Sequence, residues 1–304
     1  MDKFLFTLAI LLLFISCKTQ NKKNTTELNL PKNTTFLQKS PQAFITELPS
    51  ELAENSGIIF YDNLLWTFND SGGKDKFYGF NFSGEIEKEI NIKDAKNDDW
   101  EDIAQDDKYI YIGDFGNNSG TRNNQKIYRI KKKDIGKKPK QTIDAKEIKF
   151  DFANQTDFSF QGKNTAFDCE AMIEFNGNLF IFTKDWAERI TTVYKIPTKK
   201  GEYKITPIEK FDVSCLITGA DVSPDQTKLA LLGYKDYKPV LWLFSEITSE
   251  SFFGGHKKYI EMDSIFDAQT EGVCFLNNDT LLISCEQTSR FNEQVFLFDL
   301  KTFE

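Results

Sequence analysis

The chain is predicted to be all-β, a single five-bladed β-propeller closed by its own N-terminal strand. Three observations carry this: a four-strand unit recurs roughly every 45 to 70 residues, no run of ten residues beyond 36 keeps a helical period, and one orphan strand precedes the first unit. Composition agrees, since 29 Phe and 10 Tyr against 3 Met favour half-buried pleated surfaces.

Taken in order, the N-terminus reads as an export signal. Lys3 precedes an apolar run over 4–15, too short to span a bilayer and of the length of a signal core. Phe14-Ile15-Ser16-Cys17 then resembles the lipobox of bacterial lipoproteins, which implies cleavage before Cys17 and a lipid on it. Lys18 follows with no acidic cluster after it, and resemblance to enteric lipoproteins implies the outer membrane, facing the periplasm. Residues 18–35 are polar, cannot offset their own ordering entropy, and are expected to be a disordered tether reaching roughly 20–25 Å. The expected division is 1–17 signal and lipidated cysteine, 18–35 tether, and 36–304 one propeller domain.

Each unit opens with a small or acidic pair running into an apolar strand: Ser56-Gly57-Ile58, Glu101-Asp102-Ile103, Glu170-Ala171-Met172, Ala220-Asp221-Val222 and Glu271-Gly272-Val273. Nearly unbroken apolar second strands follow at 64–68, 109–112, 179–182, 229–232 and 281–283, as strands buried on both faces require. Third strands are expected at 77–82, 126–130, 193–196, 240–244 and 295–300. Fourth strands alternate polar and apolar at 86–92, 147–152, 205–211 and 258–262. The fifth unit lacks its fourth strand, and residues 43–48 carry the missing pattern. Six blades are the alternative if 151–167 hides a degenerate one, although that stretch is short for four strands.

A net charge of −8 argues against sequence-independent nucleic-acid binding, and cations or cation-bridged anions are the expected partners. The single histidine, His256, sits in a Gly-Gly-His-Lys-Lys turn and is expected to be solvated, which leaves no support for histidine-built zinc sites or a Ser/His/Asp triad. Phosphate loops, nucleophile elbows and zincin motifs are absent from the sequence. Five carboxylates crowd residues 94–102, but Lys96 stands where an EF-hand needs a ligand.

In a propeller the first strands line a central channel, so equivalent positions converge on its axis. Ser56, Glu101, Glu170, Glu271 and, in the fourth unit, a residue within 218–221 should meet there. Three carboxylates so placed repel unless they hold protons or a cation, and hard oxygen ligands favour calcium. The alternative is that each glutamate caps backbone amides or pairs with a lysine of its own blade. A second acidic ring is expected where the second strands end, at Asp70, Asp114, Asp185 and Glu286, with bases a few residues on at Arg122, Arg189 and Arg290. It suits a small phosphate or carboxylate ligand bridged by a cation, or else consists of ion pairs that shape the hairpins.

These motifs, with Trp100-Glu101-Asp102-Ile103 foremost, resemble those of two groups of exported bacterial propellers, the SdiA-regulated and esterase-like phytase families, over most of 43–300. The order Ser, Glu, Glu, undecided, Glu is also similar to the axial calcium ligands of the five-bladed calcium-activated nucleotidases. That family has a serine in the fourth blade, where Thr218 would have to serve here. The resemblance implies calcium on Ser56, Glu101, Glu170, Thr218 and Glu271.

Cys169, Cys215, Cys274 and Cys285 allow two disulfides in three connectivities; Cys169 and Cys215 are the better placed to link blades, and isolated buried thiols fit equally well. The reading is a monomeric, lipid-anchored periplasmic module that binds a small anion or another envelope protein and no nucleic acid. The competing class is a metal-dependent hydrolase of phosphate esters acting through a cation-activated water.

Overall fold

The computed structural model describes residues 30–70 and 72–303. The signal, Cys17 and most of the expected tether lie outside the described residues. Two short strands come first, β1 (Thr34–Gln38) and β2 (Gln42–Ile45). The first blade is β3 (Asn55–Tyr61), β4 (Leu64–Asn69), β5 (Lys76–Phe80) and β6 (Ile86–Ile92). The second contains β7 (Trp100–Gln105), β8 (Tyr109–Asp114), β9 (Lys126–Lys131), β10 (Lys140–Ile143) and β11 (Ala145–Phe152). The third contains β12 (Asp168–Phe175), β13 (Asn178–Lys184), β14 (Ile190–Pro197), β15 (Gly201–Ile205) and β16 (Pro207–Asp212). The fourth is β17 (Leu216–Val222), β18 (Lys228–Lys235), β19 (Lys238–Ser245) and β20 (Lys257–Glu261), and the fifth β21 (Thr270–Asn277), β22 (Thr280–Cys285) and β23 (Gln294–Asp299).

These strands form five separate sheets, and residues 153–167 hold no strand, so the count is five blades. β2 pairs antiparallel with β23 and completes the fifth blade, as the orphan-strand pattern predicts. The pairing ends at Ile45 because the chain then turns toward the first blade, where Leu48 and Leu52 are buried. The apolar core is divided in the same way. Five clusters lie one at each blade-to-blade interface, and the one holding Ile45, Leu48, Ile58, Leu65, Cys274 and Val295 joins the fifth blade to the first. A ring packed like this has no weak seam only if it closes, and β2 is the closure.

One regularity was not legible in the sequence. Strand β10 leaves the second blade to pair parallel with β6 of the first, and β15 leaves the third to pair with β11 of the second. β1 does the same to β20 of the fourth blade before the chain reaches the fifth. Three outer edges are thereby covered, two by the stretch of chain that follows the blade and that of β20 by the N-terminal strand, which protects them from edge-to-edge pairing. The expected fourth strand at 205–211 is accordingly split between β15 and β16, and Thr34, inside the expected tether, is already in a strand.

Candidate functional site at the mouth of the channel

The innermost strands are β3, β7, β12, β17 and β21, and each carries a bulge at the same step. The extra residue is Glu101 between Trp100 and Asp102, Glu170 between Cys169 and Ala171, Thr218 between Ile217 and Gly219, and Glu271 between Thr270 and Gly272. A bulge frees a residue from the ladder and re-aims its side chain, here toward the axis. In the first blade the bulge falls between Ser56 and Ile59 and includes Gly57, so Ser56 stands one step before the glutamates rather than level with them.

Just below this level the axis is filled. Gly57 has φ +59°, and a Cβ there would sit 2.9 Å from both Asp102 Oδ1 and the Ile103 nitrogen, so only glycine lets β3 approach β7 so closely. The buried Asp102 carboxylate accepts N–H groups from Ile103 at 2.8 Å, from Met172 of the third blade at 2.7 Å and from Ala220 of the fourth at 3.3 Å. It ties three blades together across the channel and separates the two ends.

Above Asp102 lies a buried acidic basin. Glu101, Glu170, Glu271 and Glu286 are each less than a tenth exposed. One oxygen each from Asp70, Asp99 and Glu101 lies within 4.8 Å of the other two. Asp99 immediately precedes β7 and Glu101 is the bulged residue of that strand, and the bulge brings the two carboxylates together. Gly116 makes room for them: a Cβ there would meet Glu101 Oε1 at 2.1 Å and Asp99 Oδ2 at 2.4 Å. Burial pushes the Asp99 carboxyl up to about 7, with Asp70 adding to it and Arg122 opposing. Burial likewise raises Glu101 well above the usual range, helped by Glu170, Asp70 and Asp99. Burial pushes Glu271 to about 7, with Lys184 opposing and Asp70 adding to it, and pushes Glu286 to about 9, helped by Glu271, Asp70 and Glu54.

One cation sits inside the basin. Lys184 Nζ donates to Glu170 Oε2 at 2.5 Å and lies 4.7 Å from the centre of the Trp186 ring and 5.2 Å from that of Tyr234. Burial pulls its ammonium down, yet Glu170 and Glu271 outweigh that and hold it charged. Trp186 is itself fixed by Asp168, whose Oδ2 accepts the indole N–H at 2.7 Å while Oδ1 accepts the Asn117 amide at 2.7 Å. Lys184, Asp99, Asp168 and Gly116 were not among the predicted site residues; for Asp99 the five-carboxylate stretch over 94–102 was the available signal.

The predicted residues divide into two groups. Asp70, Glu101, Glu170, Glu271 and Glu286 come together in the basin. The Ser56 hydroxyl donates to the Glu101 carbonyl at 2.6 Å and that of Thr218 to the Thr270 carbonyl at 2.8 Å, so both staple neighbouring blades. Asp114 is fully buried between Arg122 and Lys126, each at 2.8 Å. Asp185 caps the amides of Ala187 and Glu188, and Arg189 closes that turn at φ +59°. Arg290 faces Asp267 at 3.9 Å rather than Glu286. The outer bases thus shape loops, and only Arg122 reaches the basin, 3.9 Å from Asp99. His256 is exposed near Glu246, and the four described cysteines are separate buried thiols, so the link considered between Cys169 and Cys215 is not formed.

No family model and no curated protein matches the chain. Solved structures do match. The PQQ-bound aldose sugar dehydrogenase of Streptomyces coelicolor superposes with a TM-score of 0.52 at 9% identity, covering 86% of this chain and 97% of that one. A chain of the nidogen/laminin complex gives 0.46 at 12% identity over 86% and 89%. A protein described as exported, from Bacteroides fragilis NCTC 9343, gives 0.41 at 11% identity over 88% and 99%. At such identities the first likeness bears on the fold alone: the chain is a β-propeller.

Proposed function

We propose that this protein is an exported, lipid-anchored propeller whose channel mouth binds calcium, and that the cation-loaded mouth is its binding surface for a small anionic ligand or another envelope protein. The observation that carries this reading is the convergence of Asp70, Asp99 and Glu101 oxygens within 4.8 Å. Three like charges so close, with the Asp99 and Glu101 carboxyls already raised by burial, are relieved either by protons or by a cation, and an all-oxygen set suits calcium. On the Glu170 side the Lys184 ammonium makes direct contact at 2.5 Å, whereas Arg122 stands 3.9 Å from Asp99, so the Asp99 side is the less neutralised of the two and the better place for the ion. Relative to the set implied by the nucleotidase resemblance, Glu101 is shared, and Asp70 with Asp99 would take the place of the hydroxyls of Ser56 and Thr218. Arg122 supports a binding role over phosphate ester hydrolysis, because it spends its N–H groups on Gly116, Asp114 and Asn124.

The test is thermal unfolding of metal-free protein with calcium and with chelator. A cation that binds only the folded state at about 100 times its Kd adds roughly 2.7 kcal/mol. The shift should vanish in Glu101→Gln and in Gly116→Ala, whose methyl would displace both carboxylates. A melting temperature indifferent to calcium sinks the reading. Calcium-dependent turnover in a phosphatase and nucleotidase screen would move it to the hydrolase class.

A further inference from the structure

The opposite end of the channel is chemically different. Strands β3, β7, β12, β17 and β21 all start at the acidic mouth, so the turns that follow them lie together at the far end. There a cavity of about 600 Å³ is lined by Tyr61, Tyr109, Lys108, Lys131, Lys132 and Lys133, with Asp107 as its only carboxylate. A second cavity of about 610 Å³ over the channel end shares Asp107, Lys108 and Lys132 with it but adds the carboxylates of Asp106, Glu174 and Asp221, so the lysine-lined cavity is the one suited to an anion. Such volumes are those of small-ligand sites.

Lys132 is the unusual residue. It is 9% exposed, its backbone N–H is tied to the Lys108 carbonyl at 2.9 Å, and its ammonium lies 4.3 Å from the centre of the Tyr61 ring. Its one hydrogen-bond acceptor is the neutral Gln105 Oε1 at 2.8 Å, which leaves two N–H donors for an incoming group. Lys184, the buried lysine at the other end, has a carboxylate at 2.5 Å. Among the described residues none of Lys108, Lys131, Lys132 and Lys133 is ion-paired. The adjacent Asp106 does not serve them, because its carboxylate accepts the amides of Lys108 and Tyr109 and the Tyr111 hydroxyl. A buried ammonium without a counter-charge is costly, and burial accordingly pulls Lys132 below the usual lysine range, with Asp106 and Asp107 opposing.

We propose that this cavity binds a phosphate-bearing ligand, with Lys132 as the buried contact and Lys108, Lys131 and Lys133 at the rim. Rotatable ammonium donors suit a compact multi-oxygen anion approached from several sides, whereas a planar carboxylate is best met by the fork of an arginine. A doubly charged group also answers more of the surrounding lysines than a single carboxylate can. Strand β1 runs parallel to β20, and its direction puts residue 34 at this same end, so the phosphate could belong to a soluble metabolite or to a lipid headgroup.

The experiment is carried out in chelator, so that its outcome is independent of any cation at the mouth. Inorganic phosphate and glycerol 3-phosphate are titrated calorimetrically, and flotation is measured with phosphatidylcholine vesicles with or without phosphatidic acid. Binding of the soluble probes identifies a free phosphate ester; flotation confined to the phosphatidic acid vesicles identifies a headgroup. In either case Lys132→Met should weaken binding at least tenfold while leaving the melting temperature of the unliganded protein equal or higher, because an unanswered buried charge is removed. Should Lys132→Met fail to fold, the exposed pair Lys108→Ala/Lys133→Ala gives the same readout. No binding of any probe to the wild type overturns the proposal, as does binding that survives in these variants.

Discussion

Closure of the ring by β2 can be tested by shortening the N-terminus in steps. A variant starting at residue 40 lacks β1, whose loss uncovers the parallel edge of β20 and removes Phe36, 45% exposed, from its stack on Tyr259. A variant starting at residue 49 also lacks β2 with Ile45 and Leu48, which are 4% and 3% exposed in the core between the fifth and first blades. Full burial of such side chains contributes about 1.5–3 kcal/mol each, so the second step should cost roughly 3–6 kcal/mol before counting the bared edge of β23. At about 2–4 °C per kcal/mol for a chain of this size, that is on the order of 10 °C. Loss of the half-exposed β1 should cost only a few degrees. Scanning calorimetry of the two variants beside the one starting at residue 30 gives the series. Equal melting temperatures for the variants starting at 40 and 49 would show that β2 does not hold the ring shut.

Two further outcomes follow from the axis. Asp102→Asn keeps the shape but turns an amide toward a backbone N–H, and Asp102→Ala leaves all three N–H groups of Ile103, Met172 and Ala220 unmet; the expected losses are about 1–3 kcal/mol and about 3–6 kcal/mol, read by urea unfolding, and an Asn variant as stable as wild type would contradict the staple. Glu271 and Glu286 are raised in the native state from an ordinary 4.5 to about 7 and about 9, so the folded protein holds their protons more tightly than the unfolded chain. Their contribution is complete below pH 4.5 and is lost as pH rises through 7 and 9. In chelator the melting temperature should therefore fall across that window and fall less in Glu271→Gln/Glu286→Gln; a rise with pH, or an identical slope in the double variant, would be the contrary result.

Much of the fold was legible because a propeller repeats its constraints. The buried second strands read as apolar runs such as Leu64–Asn69 and Asn178–Lys184, and bulged glutamates recur at the same step of three of the five repeats. The clasp strands β10 and β15 were illegible because they are only four and five residues long and their partners lie in the preceding blade, which no local pattern reveals. The site was half legible for a similar reason. Glu101, Glu170 and Glu271 announce themselves by periodicity, and Asp99 lies in an acidic stretch beside Glu101, whereas Lys184 and Gly116 belong to the site through contacts across hairpins that no local pattern encodes.

The same topology explains why the two ends of the channel differ. The segments above the mouth, at 115–125 and 153–167 among others, are long enough to fold over it and shield carboxylates from water, and burial is the leading reason those carboxyls are raised. At the far end the turns after β3 and β7 span two and three residues, too few to cover anything, so charge there stays near solvent unless a strand end tucks it in. Lys132 is tucked in because the chain turns directly after β9 and ties its backbone to the neighbouring hairpin at Lys108. One end therefore gathers buried acids, and the other holds a buried ammonium whose hydrogen-bond acceptor is the neutral Gln105, with Asp106 and Asp107 nearby but not paired to it. Asp102 lies between them, so the proposed cation at the mouth and the proposed phosphate at the far end would not touch, and any influence of one on the other would pass through the inner strands that Asp102 joins.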